Sequence, residues 1–300
     1  MLKVAYSGLY NYPVPEGHRF PMIKYDLIAE QLLYEGLITR DNLFEPAPVE
    51  EKWILGVHTP EYWYKLKNLS LTHLEQRRSG FELTAELVYR ERCIMQGTIM
   101  AARYACQYGV AFNIAGGTHH AYPDKAEGFC LLNDNAMAAG FLLREKLAGR
   151  VLIIDLDVHQ GNGTARIFQN INEVFTFSMH CAENVFSKKE QSDLDIELPA
   201  GTEDEQYLAI LKQALRDIVD SFEPDFIFYQ SGVDVLKSDK LGWLSLSREG
   251  CRERDRLVFE LCSKRKIPVA VDLGGGYSSR LPDIVEAHCN TFRVAEKIYF

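Results

Sequence analysis

No uninterrupted apolar run in this sequence approaches the roughly 18 residues needed to cross a bilayer, so no membrane helix is expected. The opening MLKVAYSGLY lacks the basic-then-apolar layout of a secretory leader, and a cytoplasmic protein is expected. Internal repeats, low-complexity tracts and blocks of like charge are also missing. So is a surplus of positive charge: 33 basic residues stand against 42 acidic ones, a net charge of −9. Direct nucleic-acid binding needs a basic footprint and is therefore not expected, whereas a cationic ligand is permitted. None of the seven cysteines belongs to a C-x-x-C pair. An odd, scattered set reads as free thiols in a reducing compartment, mostly acting as small buried hydrophobes.

What remains is an ordinary globular composition, 47% hydrophobic and 25% charged over 300 residues. Such a chain can bury a sizeable core without a disulfide or metal staple. The most linker-like stretch, Phe44 to Pro48, is too short and too early to separate domains. From about residue 83, helix-like and strand-like segments alternate. Thr84 to Gln107 reads as a helix closed by Gly109, Val110–Ala115 as a strand, and Asp134–Ala148 as a helix. Val151–Ile154, Val174–Phe177, Phe226–Tyr229 and Ile267–Val271 read as further strands. Thr202–Glu205 predicts a capping box ahead of a helix whose apolar face is Leu208, Leu211, Leu215 and Ile218. This alternation predicts βαβ units, hence a mostly parallel sheet covered by helices on both faces.

In such sheets ligands bind beyond the carboxyl ends of the strands. Four segments there join glycine to ionisable groups: Gly116–His120, Asp155–Gly163, Gln230–Asp234 and Asp272–Tyr277. Asp155, Asp157 and His159 alternate at a strand end and can share one face. A carboxylate with an imidazole suits zinc or another divalent first-row ion, and Asp234 can supply a third ligand. A lone Asp more often caps a helix; D-x-D-x-H closing a buried apolar strand favours the metal. Two carboxylates and one imidazole cancel the ion's charge, so its bound water needs a neighbouring base. His119 and His120 are the candidates, with Asp155 able to orient one and Asn162 the other. Gly274–Gly276 before Tyr277 lacks the lysine and Ser/Thr of a phosphate loop. It reads better as close backbone approach to substrate, with the tyrosine hydroxyl aimed at a developing oxyanion.

GGTHHA (116–121), GFCLLND (128–134), DLDVHQGNGT (155–164), SGVD ending at Asp234 and LGGGY ending at Tyr277 together resemble the zinc-dependent histone deacetylase superfamily. GHRFPM (17–22) and SGVDVLKSDKLG (231–242) look most like its class IV members and their bacterial relatives. The resemblance implies one catalytic domain over residues 1–300 in the arginase/deacetylase fold, a three-layer α/β domain with a mostly parallel central sheet flanked by helices. It assigns zinc, with ferrous iron as the alternative, to Asp157, His159 and Asp234. It makes His120 the general base, His119 its electrostatic partner, Asp155 the support of His119, and Tyr277 the donor to the carbonyl. Gly128, Phe129, Gly275 and Gly276 would contact substrate, Phe129 as a wall of the acyl-lysine channel. Asp155 and Ser178 would neighbour a structural potassium ion. Asn162 stands where class I enzymes carry Asp.

The implied reaction is zinc-dependent hydrolysis of an acylated amine, foremost an acyl-lysine of a protein or peptide. An acetylpolyamine or another small amide is the nearest alternative substrate. An arginase-like ureohydrolase needs more carboxylates than this chain offers, since Gly161 and Val233 occupy positions where acids would be required. A non-catalytic scaffold binding acylated ligands is disfavoured because no catalytic position is missing. His18 and His58 read as structural residues, and His73 and His288 as surface or helix residues. Nothing in the sequence activates Cys130 or Cys181.

Overall fold

Short β-branched and aromatic runs form eight strands in the structure, a computed structural model that describes residues 1–300. They are β1 (Lys3–Ala5), β2 (Leu43–Phe44), β3 (Val110–Asn113), β4 (Val151–Asp155), β5 (Val174–Cys181), β6 (Leu194–Leu198), β7 (Phe226–Gln230) and β8 (Val269–Asp272). Their order across the sheet is β2-β1-β3-β8-β7-β4-β5-β6, and every pairing is parallel. The expected mostly parallel sheet is thus wholly parallel.

Ten α-helices connect and cover it: α1 (Lys24–Tyr34), α2 (Glu51–Ile54), α3 (Pro60–Lys67), α4 (His73–Ser79), α5 (Ala85–Tyr108), α6 (Asp134–Arg144), α7 (Asn162–Phe168), α8 (Asp204–Phe222), α9 (Arg248–Arg265) and α10 (Leu281–Tyr299). On one side α5 packs against β1, β3 and β8 with α6 beside it; α9 lies between α8 and α10, and α1 joins α10. Phe112 of β3 stacks on Phe292 of α10 with ring centroids 4.1 Å apart. Every residue of β3, β4, β7 and β8 is buried, which is why these strands read as continuous apolar runs rather than alternating ones. No helix is long and apolar enough to cross a membrane. All seven cysteines are free thiols, six of them buried.

Thr84 caps α5 by accepting from the Leu87 amide, and Gly109 ends that helix with a positive φ. Two local expectations need correction. Helix α6 stops at Arg144, short of Ala148, where Lys146 turns to φ +56° and closes the end with the Leu143 carbonyl. The capping box at Thr202 does not form. Its hydroxyl donates to the Pro199 carbonyl at 2.7 Å, and α8 begins behind Glu203 with no side-chain cap. Asp204 turns to another task, accepting from the Ser247 amide and hydroxyl at the start of α9.

The topology decides where chemistry can gather. β3 and β4 are successive strands, yet β8 and β7 lie between them in the sheet. The carboxyl ends of these four adjacent strands bound the crevice where winding reverses, the usual ligand position of such sheets. All four glycine-containing segments leave from there.

Candidate active site

Asp157 and His159 follow β4, and Asp234 follows β7; one donor atom from each lies within 4.8 Å of the others. Each carboxylate is fixed by backbone amides. Asp157 Oδ1 accepts from the His159 amide at 3.0 Å and its Oδ2 from the Gly275 amide at 3.0 Å. Asp234 Oδ1 accepts from the Val158 amide at 3.0 Å, while its buried Oδ2 has no hydrogen-bond partner. His159 Nδ1 faces both acids, 3.2 Å from Asp157 and 3.4 Å from Asp234. Gly275 has to be glycine, since a Cβ there would stand 2.0 Å from Asp234 Oδ2.

The field at this cluster favours cations. Burial alone would lower the pKa of His159, yet Asp157 and Asp234 outweigh it and push it up to about 10. Burial, and then Asp157, raise Asp234 to about 7. The same potential that attracts a proton attracts a divalent ion, and the two compete for these atoms. Two carboxylates, one imidazole and an orphaned carboxylate oxygen in a buried pocket fit zinc or a neighbouring first-row ion.

His119 and His120 follow β3 and reach the cluster from the opposite side of the crevice. His119 Nδ1 lies 2.6 Å from Asp155 Oδ2, and its Nε2 is 3.9 Å from Asp157. Burial opposes its charge, but Asp155 and Asp157 prevail and push it up to about 9. His120 Nδ1 lies 2.8 Å from Asn162 Oδ1 at the first turn of α7. With a neutral partner, burial and the nearby His119 and His159 hold His120 well below the ordinary imidazole value. Asp155 also accepts from the Asp157 amide at 3.1 Å, so one carboxylate orients both a histidine and a cluster acid. Ser178 stands beside Asp155 in register on β5, with its hydroxyl 2.9 Å from His180 Nδ1.

Above the cluster, Gly128 and Phe129 form a strained wall at φ +55° and +66°; their amides donate to the Arg78 and Ser79 carbonyls at the end of α4. A Cβ on Gly128 would meet the His120 ring at 2.7 Å. The Tyr277 ring stands 6.1 Å from that of Phe129, and its amide donates to Asp239 at 2.6 Å. Burial, then Asp234 and Asp157, push its hydroxyl upward, so it remains a proton donor. Gly276 supplies the preceding bend at φ +149°.

Several residues that build this site carried no motif. Phe186 lies edge-on to His120 at 4.7 Å and to His159 at 5.4 Å, facing Phe129 across the opening. It follows β5, which extends past Phe177 to Cys181, and the loop beyond that strand holds no glycine, so it lacks the signal that marks the other four segments. Lys24 is wholly buried and donates to the Gly274 carbonyl at 2.6 Å; burial brings its amine down to about 8. Arg254 on α9, also wholly buried, donates to Gly232 O at 2.6 Å and Leu156 O at 3.3 Å while paired with Asp255. It thereby ties together the segments carrying Asp157 and Asp234. Neither cation could be linked to the site from local sequence.

The remaining histidines and thiols lie outside the cluster. His18 bonds to the Gly80 carbonyl, and His58 lies between Tyr122 and Asn133. His73 is exposed at the start of α4. His288 is a helix residue but wholly buried, which corrects the surface reading. Burial pushes the Cys130 and Cys181 thiols up, away from activation.

Comparison with known proteins agrees with this architecture. The histone deacetylase domain family matches residues 18–292. An uncharacterised protein of Picosynechococcus sp. is 44% identical over 99% of this chain and 99% of its own length. Histone deacetylase 2 of Arabidopsis thaliana is 30% identical over 92% of this chain and 74% of its own. The crystal structure of an HDAC homolog from Aquifex aeolicus superposes with a TM-score of 0.81 at 23% identity, covering 98% of this chain and 84% of that one. The chain therefore belongs to the histone deacetylase family of amide-hydrolysing enzymes.

Proposed function

We propose that this site hydrolyses the Nε-amide of an acyl-lysine in a protein or peptide, releasing a carboxylate and the free amine. The observation that carries the reading is the pair His119 and His120, abutting in space, oppositely poised in charge, and set against the Asp157–His159–Asp234 cluster. Asp157, His159 and Asp234 would hold a single zinc ion, with ferrous iron as the alternative. Once bound, such an ion supplies Lewis-acid polarisation of the amide carbonyl and makes water more acidic. His120, unprotonated beside neutral Asn162, accepts the proton of the attacking water. His119, held cationic by Asp155, stabilises negative charge nearby. The Tyr277 hydroxyl donates to the carbonyl oxygen as that oxygen gains charge. A histidine then returns a proton to the amine as the C–N bond breaks, which balances the step. Phe129 and Phe186 would sheath the lysine methylenes. Asp155 and Ser178 stand side by side where the potassium assignment would put an ion.

The test is a turnover screen on acyl-lysine peptides of increasing acyl length beside acetylated polyamines, with elemental analysis of the same protein. The expected result is release of the carboxylate, leaving a free lysine amine on the peptide, with one zinc or iron ion per chain, both lost in Asp234→Ala while the fold persists. Two tightly held transition-metal ions, or no amide turnover at full metal loading, overturns the proposal.

A further inference from the structure

The mouth of the site carries charge of the sign this chain has least of. A cleft of about 410 Å³ opens above Phe129 and Phe186 and is lined by Arg19, Arg77 and Arg78 against one carboxylate, Glu127. All three arginines are exposed and none has a carboxylate partner, whereas Glu127 is already held by Lys125 at 3.2 Å. Their placement is tied to the channel. Arg77 and Arg78 lie in the last turn of α4, whose closing carbonyls anchor the Gly128 and Phe129 amides. The guanidinium of Arg19 stands over the Phe129 ring at 5.9 Å. Arginines in a last helical turn also complement the helix dipole. That reason covers Arg77 and Arg78 but not Arg19, which lies on no helix.

The far side of the cleft is apolar and open: Val185, Phe186 and Trp243 are 61%, 53% and 53% exposed. A chain of net charge −9 that gathers three cations without carboxylate partners at the mouth of this site is complementary there to an anion flanking the scissile amide. A polyamine, cationic along its length, would meet like charge there, as would a lysine-rich tail.

We propose that this mouth selects acyl-lysines carried on acidic protein segments and disfavours acylated polyamines and basic segments; the inference rests on the acyl-lysine hydrolase reading above. The experiment uses three acetyl-lysine peptides of equal length with acidic, neutral or basic flanks, and one monoacetylated polyamine. Values of kcat/KM are measured at low and physiological ionic strength for the wild type, Arg19→Gln, and Arg77→Gln with Arg78→Gln. The acidic peptide should exceed the basic one by roughly tenfold or more at low salt. That ratio should shrink with added salt and fall toward one in the double variant, with melting temperatures recorded in parallel. A charge-blind enzyme, a preference for the basic peptide or the polyamine, or a ratio the variants leave unchanged overturns the inference alone. Absence of turnover on every substrate at full metal loading overturns the hydrolase reading and this inference with it.

Discussion

His119 and His120 are neighbours in sequence with ring centroids 3.9 Å apart, yet the fold drives their proton affinities in opposite directions. An aspartate stands behind the first and an asparagine behind the second. Their loss should therefore have unequal consequences. His120→Ala is expected nearly to abolish turnover of an acyl-lysine peptide, while His119→Ala keeps a measurable remnant. A trifluoroacetyl-lysine substrate should recover more rate in the His119 variant. Comparison at matched metal content decides it; if His119→Ala is the deader enzyme, the base assignment is reversed.

Asn162→Asp would place an anion behind His120, favouring the imidazolium and raising its pKa. A base must be unprotonated to work, so the acid limb of kcat/KM should move to higher pH. The new carboxylate also loses the amide's donation to the Lys188 carbonyl, 3.2 Å away in the native chain. Melting temperature separates that structural cost from the shift of the limb. An unmoved limb shows that residue 162 does not tune the base.

Removing the Tyr277 hydroxyl tests the oxyanion role. Tyr277→Phe keeps the ring against Phe20 and Phe129. A fall in kcat of roughly 100-fold or more is expected, with metal content and melting temperature nearly unchanged. Full activity would reduce Tyr277 to packing.

His58 should make stability depend on pH. Its Nδ1 donates to the Tyr122 carbonyl at 2.9 Å and its Nε2 accepts from the Asn133 amide at 3.0 Å, a pattern only the neutral ring satisfies. Burial lowers its pKa to about 4, below the ordinary value of 6.5. Between these limits the unfolded chain binds the extra proton, so stability rises with pH there. The contribution is complete above about pH 6.5 and is lost as pH falls to about 4, roughly 3 kcal/mol in all. Urea unfolding of His58→Asn should give lower stability at pH 7 but a shallower decline across that window. An unchanged slope assigns the dependence to other groups.

Arg254 offers a test of long-range support. Arg254→Leu strands Asp255 without its cation in a fully buried position and releases the Gly232 and Leu156 carbonyls. A loss of about 3–5 kcal/mol is expected by chemical denaturation. Metal affinity should fall as well, since the segments bearing Asp157 and Asp234 are no longer tied together. Retained stability and affinity would show that the ion pair is dispensable.

Local covalent order determined the fold class and the choice of loops to read. Buried parallel strands are continuous apolar runs, and their carboxyl ends all emerge on one edge, so glycine beside an ionisable group just past a strand was a legible signal at Gly116, Asp155, Gly232 and Gly274. D-x-D-x-H could be recognised because it closes a buried apolar strand, although only Asp155 ends that strand and Asp157 and His159 lie in the bend beyond it. The strand order β3-β8-β7-β4 was decided only by tertiary packing, and with it the meeting of Val158 and Asp234, 76 residues apart. Packing likewise brought Lys24 under Gly274, Arg254 between Leu156 and Gly232, and three arginines to one opening. A buried cation or an exposed arginine has no local periodicity that names its partner. Its role is set by which distant carbonyl, ring or cleft the folded chain places beside it.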